Sequence, residues 1–452
     1  MKSYQKVLLV ATLLLFASPS TFCQAASWKA GTAKLDITPV TPMWMSGYAS
    51  RTKPAEGTLH ELWAKALVLE DANGKRAVVL SLDLVGISRT TAMRVTNGLK
   101  EKYGIERAEI AIATSHTHCG PVMGETLETM YFLDEEQSQR VVDYTNEVVP
   151  RLVDLVGDAL AKLHPVTFEY GVGEATFAVN RRENPEKEVP ALREAGKLKG
   201  PNDHALPVLF VKDENGKVES LLFGYACHAT TLSFYQWCGD WPGFAQIELE
   251  KQFPGATAIF VAGCGADQNP LPRREVELAE NYGKQISAGV DALSPQRLTE
   301  LTGEITTKYV EIDLPFSQLP TREQLEVDKK SSNKYTANRA KNLLQTLDDE
   351  GSLDKSYPYP IQVWSIGPLK MVFLGGEVVV DYSLRLKADS GNPQLWVAGY
   401  CNDVMAYIPS RRVLLEGGYE GATSMVYYGL PTTWAPQVET LIVDQVQQFL
   451  SE

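Results

Sequence analysis

Short apolar stretches, alternating with polar positions or running unbroken, punctuate the whole chain and predict strands. The first clear pair covers 66–70 and 77–83, separated by Asn73-Gly74. Asn-Gly is the preferred dipeptide of tight hairpins because both central residues tolerate positive φ. The signal recurs at 208–211, Asn215-Gly216 and 218–225, and both turns continue as Gly-Lys. Two matched hairpins suggest pseudo-duplicated halves. Further strands are expected at 109–114, 257–261 and 394–398, with a pair at 361–366 and 369–374 turning at Gly367-Pro368. A helical spacing runs through 135–163, with Val141, Val142, Val148, Val149, Leu152, Val156 and Leu160 as its apolar positions. Pro150 falls inside it and is expected to kink or divide the helix. Residues 320–354 are charged and helix-prone, which reads as a peripheral helical excursion rather than a second domain. The fold class is α/β, with mixed β-sheets flanked by helices.

The first residues read differently. Lys2 and Lys6 flank an apolar run over 7–17 that is too short to span a bilayer, and small residues follow at Ala25 and Ala26. This predicts a signal peptide over 1–26 and an exported product, periplasmic or extracellular, with one domain over 27–452. No other stretch approaches the roughly 20 apolar residues of a membrane helix. The formal net charge of -13 argues against nucleic acid as partner and against a basic membrane-docking surface.

Beyond Cys23 the cysteines are Cys119, Cys227, Cys238, Cys264 and Cys401. Their spacing makes no zinc knuckle or disulfide scaffold. Small buried packing residues are the expectation, with a Cys227–Cys238 disulfide as the alternative.

Several ionisable groups end apolar strands in a protein with only six histidines. His116 and His118 stand two apart after the strand over 109–114, so they are expected on one face. His228 ends the run over 221–227, Glu377 ends 371–376, and Tyr407 follows the loop after 396–399. Ligands of open α/β sheets collect at the carboxyl ends of strands, so these groups are expected to converge. Taken singly, each has a plainer reading: a satisfied core histidine, a helix-capping glutamate, a packing tyrosine. Two imidazoles and a carboxylate suit Zn²⁺ and leave a position for water. Such an ion lowers the pKa of its water towards 7, and His118 and an arginine suit the donor role opposite a developing oxyanion. Asp83 and Asp240 also follow strands and are candidates to orient a ligand histidine, with a cap or turn role as the alternative.

The segment Ala113-Thr114-Ser115-His116-Thr117-His118-Cys119-Gly120-Pro121 resembles the His-Thr-His-Ser-Gly-Pro motif of the neutral/alkaline non-lysosomal ceramidase family. Others agree in order: Asn180-Arg181, Ala226-Cys227-His228-Ala229-Thr230, Gly376-Glu377, Cys401-Asn402 through Tyr407-Ile408, and Tyr419-Glu420-Gly421-Ala422-Thr423-Ser424. The resemblance covers about 28–450. It implies zinc held by His116, His228, Glu377 and Tyr407, with His118, Arg181 and Tyr407 in catalysis. It implies hydrolysis of the N-acyl amide of ceramide to sphingosine and fatty acid.

The chain departs from the family pattern in two places. The family loop of the form Gly-Asp-x-Ser-Pro-Asn reads Gly265-Ala266-Asp267-Gln268-Asn269-Pro270 here, without its serine. Asp267 and Asn269 remain candidates for binding substrate, or for a turn held by side-chain hydrogen bonds. Full-length ceramidases also carry a C-terminal β-sandwich that the resemblance does not reach. The substrate is therefore open between ceramide and another small-molecule or lipid amide or ester. A non-catalytic ligand-binding member of the fold is the alternative class. A metal-free serine hydrolase is disfavoured, because no Gly-x-Ser-x-Gly segment is present. The oligomeric state is open.

Overall fold

The alternation of apolar side chains along the strands accounts for the layering of the molecule. The structure is a computed structural model that describes residues 28–452; the expected signal peptide lies outside the described residues. Eight strands form the core of a large mixed sheet: β1 (Trp28–Asp36), β2 (Trp63–Glu70), β3 (Arg76–Leu82), β4 (Ile110–Thr114), β5 (His164–Glu174), β6 (Ala205–Lys212), β7 (Val218–Tyr225) and β8 (Thr257–Ala262). Their spatial order is β8-β7-β6-β5-β1-β2-β3-β4. Outward from the antiparallel β1–β5 junction, the two halves repeat. Each adds a hairpin (β2–β3 and β6–β7), then a helix, then a parallel outer strand. The intervening helices are α1 (Arg89–Tyr103) and α3 (Asp240–Gln252). Each half then closes with a further helix, α2 (Glu135–Leu160) or α4 (Val276–Asp291). The duplication suggested by the hairpins is therefore a repeat of topology.

The turns of those hairpins are wider than Asn-Gly alone predicts. Only Gly74 and Gly216 take positive φ, 80° and 79°. The reason is an aspartate at the same place in each turn. Asp71 Oδ1 accepts from the backbone N–H groups of Asn73 and Lys75, both at 2.9 Å. Asp213 Oδ1 accepts from those of Asn215 and Lys217 at 2.9 and 2.8 Å. These side-chain bonds favour a longer loop with a single left-handed glycine.

Period-2 alternation sorts the β2–β4 side chains between two cores. Ala66, Val68, Val78, Leu80, Ile110 and Ile112 meet Val95 and Leu99 of α1 and Val148, Leu152 and Val156 of α2. Leu67, Leu69, Val79, Ala111 and Ala113 face the other way, onto Trp364, Met371, Phe373 and Trp396. Those last residues belong to a second sheet, β9 (Ile305–Pro315), β10 (Ser356–Ile366), β11 (Leu369–Leu374) and β12 (Trp396–Ala398), in that spatial order. Its outer face, including Ile361, Val372 and Leu374, packs on Leu386, Ile442 and Val446, from helices α7 (Asp381–Ser390) and α8 (Val438–Ser451). Helices α5 (Arg322–Asp328) and α6 (Lys334–Glu350) occupy the charged stretch between β9 and β10. The layers run helix, sheet, sheet, helix. Helix α2 runs unbroken through Pro150, which sits on its exposed side, where a carbonyl without its partner is solvated. Among the described residues, no helix is long and apolar enough to cross a membrane.

Candidate metal centre

The two sheets are joined where their strands end, and that junction builds the site. After β12 the chain turns through Tyr400 and Asn402, both left-handed at φ 56° and 66°. Asn402 docks on β4 from both sides of its backbone. Its N–H donates to the Ile112 carbonyl at 2.7 Å, and its Oδ1 accepts from the Ile112 N–H at 3.0 Å. The Tyr400 carbonyl accepts from Thr114 N–H at 3.2 Å. His116, just past β4, is itself left-handed at φ 58°. For a residue with a Cβ such a conformation costs about 1–2 kcal/mol, and such strain concentrates at functional sites. Beyond the ends of β11 and β12, Glu377 and Tyr407 are direct partners in a separate short parallel ladder. Gly376, at φ 74°, leads into it; a Cβ there would lie 2.7 Å from the Ala406 carbonyl oxygen.

His116, His118, His228, Glu377 and Tyr407 thus meet, although they span nearly three hundred residues. His116 Nε2 lies 3.2 Å from both His228 Nε2 and His118 Nε2. Glu377 Oε2 lies 3.1 Å from His116 Nε2 and 3.2 Å from His228 Nε2. Tyr407 Oη is 3.3 Å from His228 Nε2. His116 Nδ1 contacts the Val85 carbonyl, and His228 Nδ1 contacts the Gly265 carbonyl at 3.0 Å. A carbonyl oxygen only accepts, so both rings carry their proton on Nδ1 and turn the Nε2 lone pairs towards each other. Burial first, then the charge of Arg181, lowers His228 to about 4. Burial and the neighbouring histidines hold His118 well below its ordinary value. His118 and His228 are therefore neutral at neutral pH.

Neutral lone pairs directed at one another beside a buried carboxylate oxygen repel unless a cation lies among them. Glu377 Oε2 has no hydrogen-bond donor in the protein, so the donor set fits a divalent metal ion. Among the described residues, His116, His118 and His228 form the group of potential metal-binding nitrogens lying within 4.8 Å of one another. His118, expected opposite the substrate, stands as near His116 as His228 does. The expected shared face of His116 and His118 arises from the left-handed turn at His116, not from strand alternation.

Arg181 links this cluster to an open cleft. It enters from a short strand pairing, Asn180 opposite Gln268, and its backbone N–H donates to the Asp267 carbonyl at 2.8 Å. Its side chain donates to Glu420 at 2.7 Å, to Asn269 Oδ1 at 3.2 Å and to Tyr407 Oη at 3.1 Å. Asn269 and Arg181 line a cleft of about 550 Å³. Asp267 does not reach it. Its carboxylate accepts from Val380 N–H at 2.8 Å and from the Asn180 side-chain amide at 3.0 Å, so it braces the loop.

Other expectations change. Asp83 and Asp240 do not orient the histidines; backbone carbonyls do. Asp83 accepts from Trp63 N–H, and Asp240 from the N–H groups of Thr231, Leu232 and Trp241. The Cys227–Cys238 bridge is absent: all five cysteines of the described residues are free and buried. Sequence reasoning missed Tyr428, which donates to Glu377 Oε1, and Tyr48, whose ring lies 4.6 Å from that of His118. Neither stands in a pattern that marks it. Glu420 lay inside a recognised motif, but its role as the partner of Arg181 did not follow from it.

Comparison with known proteins identifies the family. The family model described as neutral/alkaline non-lysosomal ceramidase, N-terminal, matches residues 28–269. The chain is 24% identical to neutral ceramidase of Pseudomonas aeruginosa, over 97% of this chain and 74% of that protein. It is 27% identical to neutral ceramidase 1 of Arabidopsis thaliana, over 60% of this chain and 35% of that one. The crystal structure of neutral ceramidase from Pseudomonas aeruginosa superposes with a TM-score of 0.70 at 22% identity, covering 93% of this chain and 73% of that chain. With more than half of its length matched by the family model, the chain belongs to the neutral/alkaline non-lysosomal ceramidase family.

Proposed function

We propose that this chain is a zinc-dependent hydrolase of an N-acyl amide bond, exported and acting as a single domain over 27–452. The observation that carries the reading is the set of Nε2 lone pairs facing an undonated Glu377 oxygen, beside a hydrogen-bonded arginine at the head of a cleft. His116, His228, Glu377 and Tyr407 would hold the ion. When bound, such an ion acidifies water towards neutral pH and polarises a carbonyl.

The chain's own groups do the rest. Tyr428 fixes the Glu377 carboxylate through Oε1. The Val85 and Gly265 carbonyls keep His116 and His228 in one tautomer, so neither ring has to turn. Arg181 and His118 donate to the substrate carbonyl as negative charge grows on its oxygen, the role that contributes most when donors are already in place. Glu420 and Asn269 hold the guanidinium at that angle. Desolvation weakens the charge on Arg181, but the neighbouring Tyr407 and Glu420 more than offset it, and its pKa rises well above the usual value. It therefore stays a cation throughout.

The serine of the family loop is replaced by Gln268. Its side chain is spent on the Ala226 carbonyl and on Asp203 N–H, so it has no part in the proposed chemistry. The relatives' names point to ceramide as the amide cleaved. The test is turnover of N-acyl substrates by the purified protein before and after chelation, alongside its metal content. Stoichiometric zinc, loss of turnover on chelation and recovery on adding zinc are expected. Full turnover in metal-free protein would refute the proposal.

A further inference from the structure

Of the three imidazoles at the metal centre, only His118 has no backbone carbonyl to hold its ring. We infer that Tyr48 is a positioning residue for the proposed reaction: its ring, together with Gly47, aims His118 at the substrate carbonyl. The inference rests on the amide-hydrolase reading and names a residue through which that site acts.

His116 and His228 are fixed at Nδ1 by the Val85 and Gly265 carbonyls. Nδ1 of His118 is buried and has no hydrogen-bond partner. The angle of its ring is therefore set by packing. Gly47 closes one side. It takes φ 91°, and a Cβ on it would lie 2.5 Å from both Cγ and Nδ1 of His118, so only glycine lets the backbone come this close. Tyr48 supplies the other contact. Its ring centroid lies 4.6 Å from that of His118, with the two planes at 57°, a separation at which aromatic pairs attract beyond the area they bury.

Tyr48 is itself held in place. Its hydroxyl donates to the Leu232 carbonyl at 2.9 Å, and the Arg51 guanidinium lies over its ring, 4.9 Å from the centroid. Arg51 is buried, yet its hydrogen bonds go to carbonyls rather than to a carboxylate. It donates to Ser46 and, at 3.2 Å, to Phe234, which closes the turn that carries Gly47 and Tyr48. A buried cation satisfied only by carbonyls is costly, and here it fixes the turn whose shape sets the imidazole. The turn is strapped to the segment it orients: Ser46 N–H donates to the Gly120 carbonyl at 2.9 Å, two residues past His118.

The test is a double-mutant cycle on the zinc-loaded full chain with one fluorogenic N-acyl substrate. Tyr48→Leu removes the ring and is expected to lower kcat by about 10- to 100-fold, the scale of a misplaced reacting group, with zinc content unchanged. Tyr48→Phe keeps the ring and is expected to stay within about threefold of wild type. In the His118→Ala background Tyr48→Leu changes kcat by less than about twofold, because a residue that acts through His118 has nothing left to place. A loss of the same size in both backgrounds, an equal loss in Tyr48→Phe, or an unchanged kcat in Tyr48→Leu overturns the inference. The ring is also followed without turnover, by the nuclear Overhauser contact between the His116 and His118 ring protons in histidine-labelled protein. That contact is expected to weaken in Tyr48→Leu and to persist in Tyr48→Phe; a contact unchanged in Tyr48→Leu overturns the inference. Absence of turnover in the wild type sinks the hydrolase reading instead, and the ring contact then decides whether Tyr48 places His118.

Discussion

The Tyr428 hydroxyl donates to Oε1 of Glu377, which turns the other carboxylate oxygen to within 3.1 Å of His116 Nε2. A ligand carboxylate that keeps one oxygen occupied cannot rotate away from its ion. Tyr428→Phe keeps the ring and removes this bond. Metal affinity is expected to fall about 10- to 100-fold, the usual effect of losing an outer partner of a ligand. Competition titration against a chelator of known affinity checks this. An unchanged metal affinity would show that the hydroxyl does not hold Glu377 in place.

The histidines are expected to divide by role. His116→Ala and His228→Ala lose metal and turnover together. His118→Ala keeps metal, and its rate falls by about 10²–10³, the scale of one lost oxyanion donor. The geometry alone does not make this division, since both neighbours stand 3.2 Å from His116 Nε2. Elemental analysis of the three variants does. Loss of metal from His118→Ala would make that residue a ligand.

The sequence displayed the ingredients of this centre more clearly than their supports. Strand ends announce themselves, because an apolar run that stops at a polar residue marks the edge of a core. That is why His116, His228 and Glu377 could be picked out one by one. Their convergence needed the second sheet to dock on the first, through Asn402 and Ile112. No local pattern encodes a contact across 290 residues. The partners of the imidazoles were misread for a related reason. Aspartates are visible in a sequence, whereas the Val85 and Gly265 carbonyls are backbone atoms that every residue possesses. The hairpins show the same limit. Asn-Gly located both turns, and the aspartates two residues earlier set their width.

Those aspartates give a matched pair of tests. Asp71 is buried, and its second oxygen also accepts from Ile305 N–H at 2.9 Å, tying the turn to β9. Asp71→Ala leaves that donor and the turn N–H groups without their acceptor, at about 1–3 kcal/mol for each buried group. Asp213 holds the equivalent turn in water, so Asp213→Ala is expected to leave the denaturation midpoint nearly unchanged. Urea unfolding of both variants checks the contrast. Equal losses would show that the two turns serve the fold alike.

Asp403 ties stability to pH. Burial raises its carboxyl from 3.8 to about 7, even though the Tyr357 hydroxyl donates to it at 2.7 Å. Proton counting gives the sign. Between those two values the folded chain holds a proton that the unfolded chain has released, so stability falls as pH rises. The contribution is full below pH 3.8, drains across the window at up to about 1.4 kcal/mol per pH unit, and is flat above pH 7. Asp403→Asn keeps an oxygen to accept from Tyr357 and removes the titration. The stability of wild type minus variant, measured by urea unfolding from pH 4 to pH 8, is expected to decline through this window and level off above it. Subtracting the variant cancels the other titrating groups common to both proteins. A difference that stays constant across the range would mean that Asp403 is ionised in the folded state at every pH tested, with Arg89 supplying enough positive charge to outweigh its burial.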